Sequence, residues 1–155
     1  MQTEIWKPIS GYKGYYEVSN LGRVRSVTRM IERTNPRMSN QKNLYTYKGK
    51  LTPFWITKKG YCRCSLNIDG IKKNHLVHQL VARAFINNPQ NKEQVNHINC
   101  VKTDNRIENL EWVTNYENYI HSVENGLRYY QKNGLKIQTE ATEHSKIKKL
   151  SKQNK

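Results

Sequence analysis

Between residues 95 and 118 the chain reads VNHINCVKTDNRIENLEWVTNYEN, six asparagines and a single histidine, His97. A neutral imidazole exchanges its proton near pH ~6.5, so it suits proton abstraction close to neutrality. An amide oxygen is a hard, uncharged donor that suits cations such as magnesium. Asparagine is poor inside helices and strands because its side chain competes for backbone hydrogen bonds. The bland reading of the stretch is therefore a long polar loop. The sharper reading is a site where amide oxygens hold a cation and orient the histidine. Zinc fits less well. Cys62, Cys64, His97 and Cys100 supply its ligand types, but C-x-C and H-x-x-C are not the paired spacings of structural zinc modules.

The flanking residues supply elements that can position such a site. Gln94–Ile98 reads as a short strand, residues 99 to 108 as a polar loop, and Leu110–Val113 as a second strand. Thr114 and Glu117 form a T-x-x-E capping box. The helix it opens carries Tyr116, Tyr119, Ile120, Val123 and Leu127 on one side and stops at Asn125-Gly126. Upstream, Val77, Leu80, Val81, Ala84 and Phe85 fall on one apolar helical face, which Pro89 limits. His75 and His78 flank the start of that helix and read as structural.

The N-terminal half reads as sheet. Asn20-Leu21-Gly22 and Asp69-Gly70 are turn signals between alternating runs. Val18, Val24 and Val27 can face a core, with Arg23 and Arg25 on the opposite face. Residues 28 to 50 read as an irregular loop or insertion. Arg23, Arg25, Lys58, Lys59, Arg63, Lys72 and Lys73 crowd these ribbons, and such a set can lie in a DNA groove and contact phosphates.

Charge narrows the partner. The 155 residues hold 27 Lys plus Arg against 12 Asp plus Glu, a net charge of +15. A field of that sign favours polyanions, nucleic acid first and an anionic membrane surface second. No apolar run reaches the roughly 20 residues of a membrane span, and no signal peptide opens the chain. Residues 128 to 155 carry eight Lys or Arg against two Glu and read as a disordered or partly helical arm.

The order strand, loop, strand, helix, with Asn96-His97 ending the first strand and N-R-I-E-N-L-E-W-V-T over Asn105–Thr114, resembles the HNH endonucleases. It is most similar to their group I intron homing type from phages and bacteria. W-K-P-I-S-G-Y-K-G-Y-Y-E-V-S-N-L-G-R-V-R-S, from Trp6 to Ser26, resembles the DNA-binding motif that accompanies such nucleases, and H-Q-L-V-A-R-A-F, His78 to Phe85, is a further family signature. The resemblance implies that His97 is the general base and that Asn109 holds its imidazole through a hydrogen bond. It implies that Asn96 and Asn118 are ligands of one Mg2+ or Mn2+. Asn99, Asn105 and Asn115 are left to serve turns and the helix start. Many relatives have Asp where Asn96 stands, and Asp-Gly-Asn where this chain has Asn99-Cys100-Val101. A positive φ in that turn would strain Cys100 unless Asn99 took the left-handed position.

The expected fold is α+β. An N-terminal antiparallel β-sheet region that binds DNA (1–75) precedes a ββα-metal nuclease module (76–127) and the basic C-terminal arm (128–155). Relatives often continue into a small helical DNA-binding domain, and the end of this chain reads as a shortened specificity region or a truncated reading frame. The implied activity is hydrolysis of a phosphodiester in double-stranded DNA, by a monomer that nicks one strand in the cytoplasm of a bacterial or phage-infected cell. No membrane and no small-molecule substrate are expected. The rival readings are a non-catalytic DNA-binding protein on the same scaffold and, less favoured, a single-strand or RNA binder using the ten tyrosines.

Overall fold

Alternating residues with turn glycines between them build most of the first half. The computed structural model describes residues 3–34, 42–127, 130–132 and 135–137. Strands β1 (Trp6–Pro8), β2 (Tyr16–Ser19) and β3 (Val24–Ser26) form an antiparallel sheet in that order. Val18 lies opposite Val24 and both are buried, as the alternation requires, whereas Val27 is only half-buried.

Residues 28 to 50 depart from the expected loop. Strand β4 (Arg29–Thr34) pairs in full register with β5 (Lys42–Tyr47), from Arg29 opposite Tyr47 to Thr34 opposite Lys42. The composition allows this, since Ile31, Thr34, Tyr45, Thr46 and Tyr47 all favour extended backbone. The Arg29 guanidinium, 4.6 Å from the Tyr15 ring and 4.5 Å from that of Tyr47, ties the ribbon's base to the first sheet.

Strands β6 (Phe54–Ile56), β7 (Cys62–Ile68) and β8 (Ile71–Leu76) form a second three-stranded antiparallel sheet with β7 central. Asp69 (φ 51°) and Gly70 (φ 80°) both take the left-handed conformation that a tight two-residue hairpin needs. Cys62, Cys64 and Leu66 alternate onto the core face, and burial pushes the Cys64 thiol up to about 11. Helix α1 (Val77–Phe85) follows β8 directly and packs on β2, β7 and β8. It buries Val77, His78, Leu80, Val81 and Ala82, while Ala84 and Phe85 are half-buried. Nothing in the apolar periodicity signals that His78 joins the core.

Strands β9 (Gln94–His97) and β10 (Leu110–Val113) make a two-stranded sheet, with one 3-10 turn at Ile107–Asn109 before β10. Helix α2 (Asn115–Glu124) begins as its sequence predicts. The Glu117 amide donates to Thr114 Oγ1 at 3.2 Å and the Thr114 amide to Glu117 Oε2 at 2.7 Å, a box that contributes roughly 0.5–2 kcal/mol. Gly126 (φ 68°) ends it. Val123 is the buried residue of its apolar side, but Tyr116 is 72% exposed. Strands β11 (Tyr130–Lys132) and β12 (Leu135–Ile137) pair antiparallel. Extended backbone at these residues departs from the disordered or partly helical arm expected of residues 128 to 155. The rest of that arm lies outside the described residues.

The chain divides into two compact units. The first takes in Met1–Asn87 and His97–Glu111, the second Asn88–Asn96 and Trp112–Lys155. Within the first, the β2–β3 turn grips the loop ahead of β10. The Ile107 amide donates to the Asn20 carbonyl at 2.9 Å. Gly22 (φ 81°) sits so close to Asn105 that an added Cβ would lie 2.7 Å from the Asn105 Cβ. Gly14 (φ 79°) has nothing within 4 Å of such an atom. Gly14→Ala should therefore lose about 1–2 kcal/mol from backbone strain alone. Gly22→Ala should lose about 3 kcal/mol or more, because the clash adds to the strain. Urea unfolding of the two variants checks this, and equal losses would show that the turn does not brace the loop.

Candidate active site

The loop from Ile98 to Glu108 leaves many backbone groups unpaired by any strand, so its own side chains must satisfy them. In the first unit Asn109 does much of this. Its Oδ1 accepts from the Asn99 amide at 2.9 Å and its Nδ2 donates to the Asp104 carbonyl at 2.8 Å, which clasps the loop across its width. Asn99 makes an Asx turn through its Oδ1 to the Val101 amide, 2.8 Å. Cys100 itself takes the positive φ, 63°, so the strained left-handed position falls on Cys100 and not on Asn99.

This changes one expected contact. The imidazole of His97 meets Asn105, whose Oδ1 lies 3.3 Å from His97 Nε2, and not Asn109, whose amide is occupied by the loop backbone. Asn105 is thus more than the turn residue its sequence context suggests. Its Nδ2 donates to the Thr103 carbonyl at 3.1 Å, which fixes which end of the amide faces the ring. An amide oxygen only accepts, so Nε2 of the neutral imidazole carries the hydrogen and Nδ1 carries the lone pair. His97 is 4% exposed. Burial holds its pKa below the ordinary imidazole value, with the Asn105 contact and the charge of Asp104 opposing and Lys102 reinforcing the shift. The ring is thus kept neutral and ready to accept a proton.

Two further rings reach His97. The centroid of His78 lies 4.9 Å away and that of Tyr61 6.0 Å away. Burial, and secondarily the neighbouring His97, brings His78 down to about 4. His75 is separate, its Nε2 2.9 Å from the Tyr12 hydroxyl, and serves packing as expected.

In the second unit Asn96 is buried on β9 and Asn118 stands in the first turn of α2. The Asn118 Nδ2 donates to Gln94 Oε1, and Asn96 shares Gln94's face of β9, being two residues on. Both amides therefore lie on one side of this unit, and with its nitrogen engaged Asn118 can offer its carbonyl oxygen. Amide oxygens are the hard, uncharged donor type that suits a magnesium-type cation, which takes few protein ligands. Three acids of the stretch are otherwise engaged. Asp104 is held down to about 2, chiefly by the Arg106 guanidinium that bridges both its oxygens at 2.8 Å. Glu108 pairs with Arg106 at 2.9 Å, and Glu117 closes the capping box and meets Lys92 at 2.8 Å.

The cations expected to touch DNA do not form one surface. Arg23 pairs with Glu4. Arg25 pairs with Glu17 at 2.7 Å and stacks over Trp6 at 4.2 Å. On the second sheet Arg63 lies opposite Trp55 and Leu76, and Lys72 opposite Asn67, so Arg63 and Lys72 share the face away from the core. Lys73, opposite Leu66, falls on the other face. Lys58 and Lys59 stand in the β6–β7 turn, where the Lys59 carbonyl accepts from Lys102 Nζ at 2.9 Å. Parity in the ladder, invisible in composition, sorts the set.

Residues 4–67 match the NUMOD4 motif, and residues 75–119 match the HNH endonuclease family. An uncharacterized HNH endonuclease, L247, of Acanthamoeba polyphaga mimivirus is 38% identical over 153 residues, covering 96% of this chain and 33% of its own length. A second from the same virus, L245, is 39% identical over 123 residues and is covered for 31% of its length, so the chain spans about a third of these relatives. The DNA endonuclease I-HmuI of Bacillus phage SP01 is 33% identical over 121 residues, 78% of this chain and 59% of that protein. A solved structure of DNA binding and cleavage by the HNH homing endonuclease I-HmuI superposes with a TM-score of 0.61 at 31% identity, over 94% of this chain and 68% of that one. With that similarity running through both the sheets and the strand–loop–strand–helix stretch, the chain belongs to the HNH homing endonuclease family.

Proposed function

We propose that the protein is a DNA endonuclease that hydrolyses one phosphodiester bond of a duplex, with His97 as general base. The observation that carries this is the state of His97: buried, held neutral, and turned by Asn105 so that Nδ1 is the atom that takes the proton from a water. Asn109 acts at one remove, keeping the loop that carries Asn105 closed. Asn96 and Asn118 are the residues that would hold a divalent cation, Mg2+ or Mn2+. Bound there, such an ion neutralises charge gathering on the phosphate and its leaving oxygen. The amides bring no charge of their own, so the DNA phosphate supplies the anion that completes the ligand set. One such histidine acting in a monomer would nick a single strand, in the cytoplasm of a bacterial or phage-infected cell.

Duplex DNA is the proposed partner because of the net charge of +15 and the sheet face bearing Arg63 and Lys72. A non-catalytic DNA-binding role would leave the buried neutral imidazole and its amide partner without a use.

Supercoiled-plasmid nicking in Mg2+ tests the base. His97→Ala should abolish nicking while DNA affinity stays within a few-fold, and unchanged cleavage would remove His97 from the chemistry. Asn105→Ala should slow nicking by roughly 10–100-fold, the scale of losing a group that orients another. Asn109→Ala should lower stability as well as rate, because it unclasps the loop.

A metal titration of the same reaction tests the amides. Asn96→Asp puts an anionic oxygen in nearly the same volume and should lower the concentration of Mg2+ giving half-maximal rate. Asn118→Ala should raise it, with Mn2+ giving partial rescue. If neither concentration moves, both residues are removed from the cation.

Salt dependence of duplex binding separates the cations. Arg63→Ala and Lys72→Ala should each flatten the log–log slope by about 0.9 for every phosphate that the side chain neutralises. Arg25→Ala should change it less, since Glu17 already balances that charge. An equal effect for all three would assign the first sheet to DNA as well.

A further inference from the structure

The bond between His97 and Asn105 is a single contact of 3.3 Å, at the long end of the hydrogen-bonding range. An imidazole turns about its outer torsion in a broad, roughly two-fold well. A half turn would swap Nδ1 and Nε2 for ring carbons and leave Asn105 facing a C–H. One long bond is a weak guard against that, so packing must select the orientation.

The packing is made of rings. Tyr61 and His78 contact each other with centroids 5.0 Å apart, and both contact His97, His78 edge-on at 65° and 4.9 Å, Tyr61 tilted at 6.0 Å. His78 is as buried as His97, each 4% exposed. We propose that Tyr61 and His78 are positioning residues for the base, two rings that wall in the His97 imidazole with Nε2 toward Asn105 and Nδ1 open to the proton.

The details favour a wall over a proton relay. His78 Nδ1 is buried and has no hydrogen-bond partner among the described residues, so His78 offers its neighbour a ring surface and no bond through that atom. The ring is also neutral near pH 7, since burial brings it to about 4. The wall itself is fixed from behind. Thr57 takes Tyr61 in a turn through Gly60 (φ 85°), its amide donating to the Tyr61 carbonyl at 2.9 Å and its Oγ1 accepting from the Tyr61 amide at 3.1 Å. Lys102 Nζ lies 4.9 Å from the Tyr61 ring and is itself bound to the Lys59 carbonyl.

The inference rests on His97 being the base, and its test has one arm that does not need cleavage. In the full chain labelled with 15N-histidine, wild-type His97 should show a protonated Nε2 and an unprotonated Nδ1. His78→Ala should draw the two resonances together, because a ring free to turn away from the Asn105 acceptor exchanges its proton between Nε2 and Nδ1. Its kcat for nicking a duplex in Mg2+ should fall about tenfold or more, with KM within about threefold. His78→Phe keeps a ring without nitrogens and should retain both the wild-type resonance pattern and kcat within about threefold. A His78→Ala protein with one fixed tautomer would overturn the wall. So would a His78→Phe as slow as His78→Ala, since a nitrogen would then be the active feature. Thermal melting reports whether His78→Ala folds, and Tyr61→Leu carries the same expectations should it not. If wild type fails to nick DNA, the proposed activity falls while the resonances still decide whether the rings hold the imidazole.

Discussion

A loop joining two four-residue strands cannot be held by the strands alone, and here the clasp is one side chain. Asn109 satisfies the Asn99 amide at one side of the loop and the Asp104 carbonyl at the other. Leaving such groups unmade would cost about 1–3 kcal/mol each where they are shielded from water. In the closed loop Cys100 takes the left-handed region and Asn105 is turned inward, 6% exposed, onto His97. Asn109 therefore bears on the base through the loop that presents Asn105 to it, with no hydrogen bond of its own to His97.

The same loop explains why the N-terminal sheet belongs in the first unit with His97. The β2–β3 turn supplies the Asn20 carbonyl to the Ile107 amide, and Gly22 leaves the space that Asn105 fills. Asn20 is itself fixed, its Oδ1 accepting from the Ile5 amide at 2.7 Å and its Nδ2 donating to the Thr3 carbonyl at 3.1 Å. A region whose sequence suggests only DNA contact also serves as the brace behind the imidazole. Change in that turn reaches the site through packing, without any change in the charged residues.

Electrostatics around His97 follow one logic. The charge of the Asp104 carboxylate draws the imidazole toward its protonated form. Arg106 occupies both oxygens of Asp104, and Lys102 acts in the opposite sense to that carboxylate on His97. Desolvation then has the larger effect, and the ring stays neutral. These exposed ion pairs add little to stability.

Sequence alone determined the elements whose causes are local. The T-x-x-E box, the Asp69-Gly70 hairpin, the α1 stripe and the order strand, loop, strand, helix were all legible, because caps, turns and periodicity act over a few residues. The β4–β5 ribbon was not, because its turn signal is weak and it exposes most of its side chains, so no alternation of burial marks it. His97 was identifiable by its isolation among amides. Which asparagine would face it was not, since six offer the same chemistry and only closure of the loop against the β2–β3 turn selects Asn105. The ring wall of Tyr61 and His78 likewise joins residues 36 and 19 positions before the base, a proximity that no local pattern encodes. Tertiary structure decided these contacts because partners distant in the chain are chosen by packing, which sequence spacing does not record.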